Sequence, residues 1–214
     1  TITKTDGYGF DMYQKNNSVI NVDGNFTYTG TNHKSGWWDD ETIQLYDDAS
    51  FTVDQNFTFT MDDPTNQNDL LLFLYADAVL NTGTSTSHTS TITQFDGNNL
   101  EIYLGSDAVW NNAGDLNWNY TDGSSTSYAN LNNSSELNIG KDFTITNDQA
   151  SDEFTLYVNT SALLNVDGDI DISSASAANL IEIELNSSSK LELGGDLIRA
   201  AAPNNYGKLI AGSS

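Results

Sequence analysis

The chain has 214 residues, with 30 Asp and Glu against 7 Lys and Arg and a formal net charge of −23, so phosphate backbones and anionic headgroups are poor partners for it. The absence of Cys removes a disulfide framework, a thiolate zinc site and a Cys nucleophile together. Hydrophobic residues, at 37%, are too few for the thick core of a compact globule, and no stretch approaches the roughly 20 apolar residues of a membrane span.

Taken in chain order, the predicted strands recur as a triplet. The first coil alternates at Phe10 and Met12, then at Ser18, Ile20 and Val22, turns at Gly24-Asn25, and alternates again at Phe26 and Tyr28. The second repeats this with Ile43 and Leu45, with Ala49, Phe51 and Val53, and with Phe57 and Phe59 after Asn56. In the third, Leu70, Leu72 and Leu74 precede Ala78, Leu80 and Thr82, and Ser85 is the weak member of the corner column. The fourth carries Leu100, Ile102 and Leu104, then Ala108, Trp110 and Asn112, then Leu116 and Trp118 after Gly114-Asp115. The fifth offers only Ala129 and Leu131 first, followed by Ser135, Leu137 and Ile139, then Phe143 and Ile145 after Asp142. The sixth and seventh continue with Phe154, Leu156 and Val158, and with Ile181, Ile183 and Leu185, their corners ending at Asp169 and Asp196. Residues 206–214 read as the start of an eighth.

Corner markers Asn25, Asn56, Ser85, Asp115, Asp142, Asp169 and Asp196 are separated by 31, 29, 30, 27, 27 and 27 residues. A spacing of two within each segment requires strands. Small residues then fall on small and large on large from one repeat to the next, which hairpins would not produce. The reading is an all-β, three-sided parallel β-helix, right-handed, of about seven coils of 27–31 residues. Residues 1–214 form one repeat array, expected to be a fragment of a longer chain because both ends resemble the middle of a repeat. Gly24, Gly114, Gly168 and Gly195 precede corner markers and are expected at positive φ.

Candidate sites are of two kinds. Asp115, Asp142, Asp169 and Asp196 would stack in one column, with Asp167 and Asp171 beside them, and hard oxygen ligands of this type suit calcium. The plainer and preferred reading is that each is a solvated corner residue bonded to turn amides. The loop containing Trp37, Trp38, Asp39 and Asp40 could stack on sugar rings with a polar rim, although large aromatics are more often buried. Catalysis is not expected: Arg199 is the single arginine, His33 and His88 are the only histidines, and no acid, base and substrate clamp come together in the pattern. The Asn-x-Ser/Thr sequons, several of them at corner markers, read as structural.

The phrases 165–172 (Asn-Val-Asp-Gly-Asp-Ile-Asp-Ile) and 190–197 (Lys-Leu-Glu-Leu-Gly-Gly-Asp-Leu) resemble β-helical repeats of very large surface proteins of Bacteroidetes, including gliding-motility adhesins and other type IX secretion cargo. The resemblance covers nearly the whole chain, best from residue 106 onward, and supplies no catalytic residues. It implies an extracellular, cell-surface filament or stalk whose partners are its own neighbouring coils and surface glycans. Two alternatives stand beside it: a carbohydrate-binding or polysaccharide-degrading β-helix, and, more weakly, a phage or viral fibre.

Overall fold

The structure, a computed structural model, describes residues 10–31, 41–62, 69–95, 99–121, 127–147, 153–174, 180–199 and 206–211. Period-two alternation becomes strand wherever it was read. In the fourth coil the strands are Leu100–Leu104, Val109–Asn112 and Asp115–Thr121. Leu100, Ile102, Leu104, Ala108, Trp110, Asn112, Leu116, Trp118 and Tyr120 are buried, while the strand residues alternating with them are more exposed.

The described strands form three parallel sheets, here sheets A, B and C, of eight, seven and seven strands. Each strand bonds to its counterpart one coil away, so every coil contributes one strand to each side. This is an all-β, three-sided parallel β-helix. The register is that of the sequence columns: Ile43, Leu72, Ile102, Ala129, Leu156, Ile183 and Leu209 are successive partners in sheet A. Strand Tyr206–Ala211 pairs with Leu180–Leu185 and opens an eighth coil. A one-residue slip would turn every inward side chain to solvent, so the buried face pins the register.

Inside, the early coils are aromatic. Phe26, Phe51, Phe57 and Phe59 are buried together, with Phe26 and Phe57 stacked at 5.3 Å. Trp110 and Trp118 fill the middle, 6.2 Å apart, and Trp118 meets Phe143 edge-on at 4.7 Å. In the middle coils a group of polar residues inside are bonded to one another. Trp110 Nε1 donates to Thr82 Oγ1 at 2.9 Å, and Thr82 and Ser90 both donate to Asn112 Oδ1, at 2.9 and 2.5 Å. Such a network satisfies groups whose burial would otherwise cost about 1–3 kcal/mol each. Towards the ends the columns are less covered: Ile20 is 37% and Leu209 44% exposed, in positions that are buried in the middle coils.

Two expectations need correction. The corner residue of the third coil is Thr89, not Ser85: its amide donates to Asn56 Oδ1 at 2.8 Å, 33 residues back, and Thr89 pairs with Asp115. Residues after Gly83 (φ +62) form an inserted turn closed by His88 N to Ser85 O at 3.1 Å. The strand Thr89–Phe95 follows it, carrying inward Ser90, Ile92 and Gln94 that gave the sequence no apolar pair to show.

The second correction concerns glycine. Of the four expected at positive φ only Gly24 (φ +145) lies there. At Gly114, Gly168 and Gly195 the constraint is close approach: a Cβ would overlap His88 O, Asp142 Oδ1 and Asp169 Oδ1 respectively. Left-handed residues sit instead at the corner between sheets A and B, and they are not glycines. Asn16, Asp47 and Ala76 occupy it singly, and from the fourth coil on two occur in succession, as at Asn133-Ser134 and Ser187-Ser188.

Candidate functional site

The predicted aspartate column exists, and one carboxylate oxygen each of Asp115, Asp142 and Asp169 accepts from the backbone of the next coil. Asp142 Oδ1 accepts from Asp169 N at 2.9 Å, and Asp169 Oδ1 accepts from Asp196 N at 2.7 Å. Asp115 Oδ1 receives Asp142 N at the longer distance of 3.5 Å. In the early coils Asn25 Oδ1 does the same for Asn56 N at 3.0 Å, so two of the sequon asparagines are corner acceptors. This is the arrangement of the plainer sequence reading. Asp167 is exposed at the corner, and Asp171 lies half-buried on the outside of sheet C between Thr144 and Ile198. Among the described residues no three of Asp, Glu or His gather as a set that could hold a metal ion. Trp37, Trp38, Asp39 and Asp40 lie outside the described residues.

On the outer face of sheet A, Tyr46 and Tyr75 stack at 4.8 Å with an 11° interplanar angle, and Tyr75 and Tyr103 lie 5.2 Å apart. Lys15 Nζ sits 5.3 Å over the Tyr46 ring. Gly105 makes room for this stack, because a Cβ there would come 2.6 Å from Tyr103 Cε1. Tyr46 and Tyr75 each cover one face of the other, which leaves less ring face for stacking on a sugar. Burial raises the tyrosine hydroxyl of Tyr46 and of Tyr75 above the usual value, and the neighbouring tyrosines add to it. Tyr128 is raised by burial and then by Glu101. From the fifth coil amides take over on this side, with Asn159 Nδ2 donating diagonally to Asn130 Oδ1 at 2.8 Å and Asn186 Nδ2 to Asn159 Oδ1 at 3.0 Å.

The feature with the shape of a site was not singled out in the sequence. An open groove of about 400 Å³ runs along the outer face of sheet B and its corner with sheet C. Its floor is a second side-chain ladder. Asn81 Nδ2 donates to Thr52 Oγ1 (3.2 Å), Asn111 Nδ2 to Asn81 Oδ1 (3.0 Å) and Asn138 Nδ2 to Asn111 Oδ1 (3.0 Å), with Asn165 next in register. Its wall is the corner position following each sheet B strand. There Gly83, Ala113 and Gly140 carry almost no side chain, and Asp167 closes one end. The groove is therefore the space that three consecutive small residues leave. The sequence signal was available as a column: Asn81, Asn111, Asn138 and Asn165, each two residues before Gly83, Ala113, Gly140 and Asp167. Outward polar residues carry no burial signal, which is why it passed as ordinary surface.

No protein-family model, curated protein or solved structure matches this chain.

Proposed function

We propose that this β-helix is a structural and adhesive segment of a secreted cell-surface filament, and not an enzyme. The observation that carries the reading is the stacking of like residues through successive coils, which joins continuous backbone ladders on three sides to one continuous core. Such a stack resists bending and stretching along its axis, since each coil is held to the next by many parallel hydrogen bonds at once. At roughly 4.8 Å per coil, seven coils give a stalk of about 34 Å. The acidic surface, with a net charge of −23, keeps a rod soluble and discourages side-by-side association. The resemblance of residues 165–172 and 190–197 to Bacteroidetes surface adhesins gives the reading its finer form: a filament exported by the type IX route.

Antibody labelling of intact cells of the source organism tests the location, and a reducing-sugar assay across neutral and acidic polysaccharides tests the chemistry. Surface labelling without turnover is expected. Turnover of any polysaccharide, or an intracellular signal only, would overturn the proposal.

A further inference from the structure

We infer that the groove on sheet B is a binding site for an extended, neutral oligosaccharide chain, read one sugar per coil by the asparagine ladder. The inference rests on the adhesive reading in one respect, that this outer face meets extracellular material.

A primary amide has two N–H donors and two acceptor lone pairs. Asn81 and Asn111 each spend one N–H on the residue before them and one lone pair on the residue after. The ladder thus fixes both amide planes and leaves each with one donor and one acceptor for a ligand. A hydroxyl group is itself one donor and an acceptor, so the Asn81 and Asn111 rungs are each complementary to a sugar hydroxyl, while Asn138, which also donates to Glu136 Oε2 at 3.2 Å, offers an acceptor. Because the rungs already hold one another, little side-chain entropy remains to be lost on binding.

Spacing selects among chains. Rungs recur at the coil rise of roughly 4.8 Å, close to the advance of one pyranose ring between successive glycosidic oxygens in an extended glycan. A β-strand peptide advances roughly 3.3 Å per residue and presents the same side every second residue, so it falls out of step with the rungs. The groove volume of about 400 Å³ also lies within the roughly 300–1,000 Å³ of ligand sites. Charge selects among glycans. The described lining residues include no Lys, Arg or His, Asp167 stands at one end, and the whole chain carries −23. Uronates and sulfated chains are repelled, and neutral chains are not.

Isothermal titration with neutral hexasaccharides (gluco-, manno- and xylo-series), matching disaccharides, a hexagalacturonate and an unstructured Thr/Ser-rich peptide tests the site. At least one neutral hexasaccharide is expected to bind at least about tenfold more tightly than its disaccharide, because it engages more rungs. Asn111→Thr and Asn81→Thr should each weaken binding by about tenfold, with unchanged circular dichroism. Threonine is tolerated in this column, since Thr52 already occupies it. A control substitution on another face, Thr144→Val, should leave affinity unchanged. The inference is overturned if no neutral hexasaccharide binds, if the peptide or the uronate binds more tightly, or if both Asn→Thr variants retain full affinity. Any of these results leaves the adhesive reading standing. Hydrolysis of the bound glycan would instead defeat the adhesive reading and leave the groove assignment intact.

Discussion

In the first three coils the corner between sheets A and B carries a single left-handed residue, Asn16, Asp47 or Ala76, whereas from the fourth coil on it carries two in succession. The late corners bond to one another along the axis: Asp107 N donates to Asn133 O at 3.0 Å, Ser134 N to Thr160 O at 3.1 Å and Ser161 N to Ser187 O at 3.1 Å. Over the same stretch the coil length is constant, with corner acceptors 27 residues apart. The early coils vary in length and use different means. Rings stack outside at Tyr46, Tyr75 and Tyr103, and phenylalanines fill the interior. The difference teaches that a coil of fixed length lets every backbone group meet its copy. The early coils keep the same backbone ladders on all three sides, their differences in length fall between the strands, and packed aromatic rings add to the hold there.

The comparison can be broken or sharpened by substitution, and the largest effect is expected at glycine. Gly140→Ala should destabilise the late coils by about 3 kcal/mol, because the added methyl would overlap the Ala113 carbonyl of the neighbouring coil. Gly24→Ala meets nothing within 4 Å and should cost only about 1 kcal/mol, for its φ of +145. Hydrogen exchange read coil by coil measures both; equal costs would erase the distinction between close approach and backbone strain.

Alkaline pH should strike the early coils first. The Tyr28 hydroxyl is held well above its ordinary value of 10.0 by burial and by Glu41, and Tyr46 and Tyr75 are raised as well. A tyrosine kept neutral in the fold contributes its stability in full below the unfolded value and loses it as pH rises past that value, when only the unfolded chain releases the proton. Above pH ~10 the fully buried Tyr28 alone should remove about 1.4 kcal/mol per pH unit. Tyr28→Phe should flatten the profile between pH 10 and 12 in a denaturation series. An unchanged slope would refute the assignment.

A smaller effect is expected at the corner acceptors. Asp169→Ala removes the acceptor of the Asp196 amide and should cost about 1 kcal/mol. Asp169→Asn keeps an acceptor and copies the chemistry of Asn25, so it should be neutral or slightly stabilising. It should also reduce the gain that added salt gives the late coils, since unit charges 4.8 Å apart repel by roughly 0.9 kcal/mol in water. Urea melts at low and high salt decide this, and identical salt dependence in both proteins would contradict it. The smallest effect is at the left-handed corner. Ser134→Gly (φ 65) should stabilise by about 0.5 kcal/mol, and Asn16→Gly (φ 56) by almost nothing, because asparagine already tolerates that conformation.

Much of this was legible in the residues themselves. The inward columns, the parallel three-sided winding and the opening strand of an eighth coil all follow from alternation and register, since burying one face of every strand admits one stacking. The third coil's corner was misread at Ser85 because the insertion before Thr89 shifts the marker, and a hydrogen-bond acceptor column cannot be seen through a change in loop length. The aspartates fall in the column that their spacing predicts, but residue type alone does not say which amide each oxygen meets, because that is set by the next coil.

The sequence by itself determined what lies inside, because hydrophobic burial is written in the order of residue types along the strand. Only the tertiary structure decided what lies outside. Whether outward asparagines form a ladder, whether small residues at three corners open a groove, and which glycines are steric necessities all depend on what the next coil places beside them. That neighbour is 26 to 33 residues away in the chain and one hydrogen bond away in space.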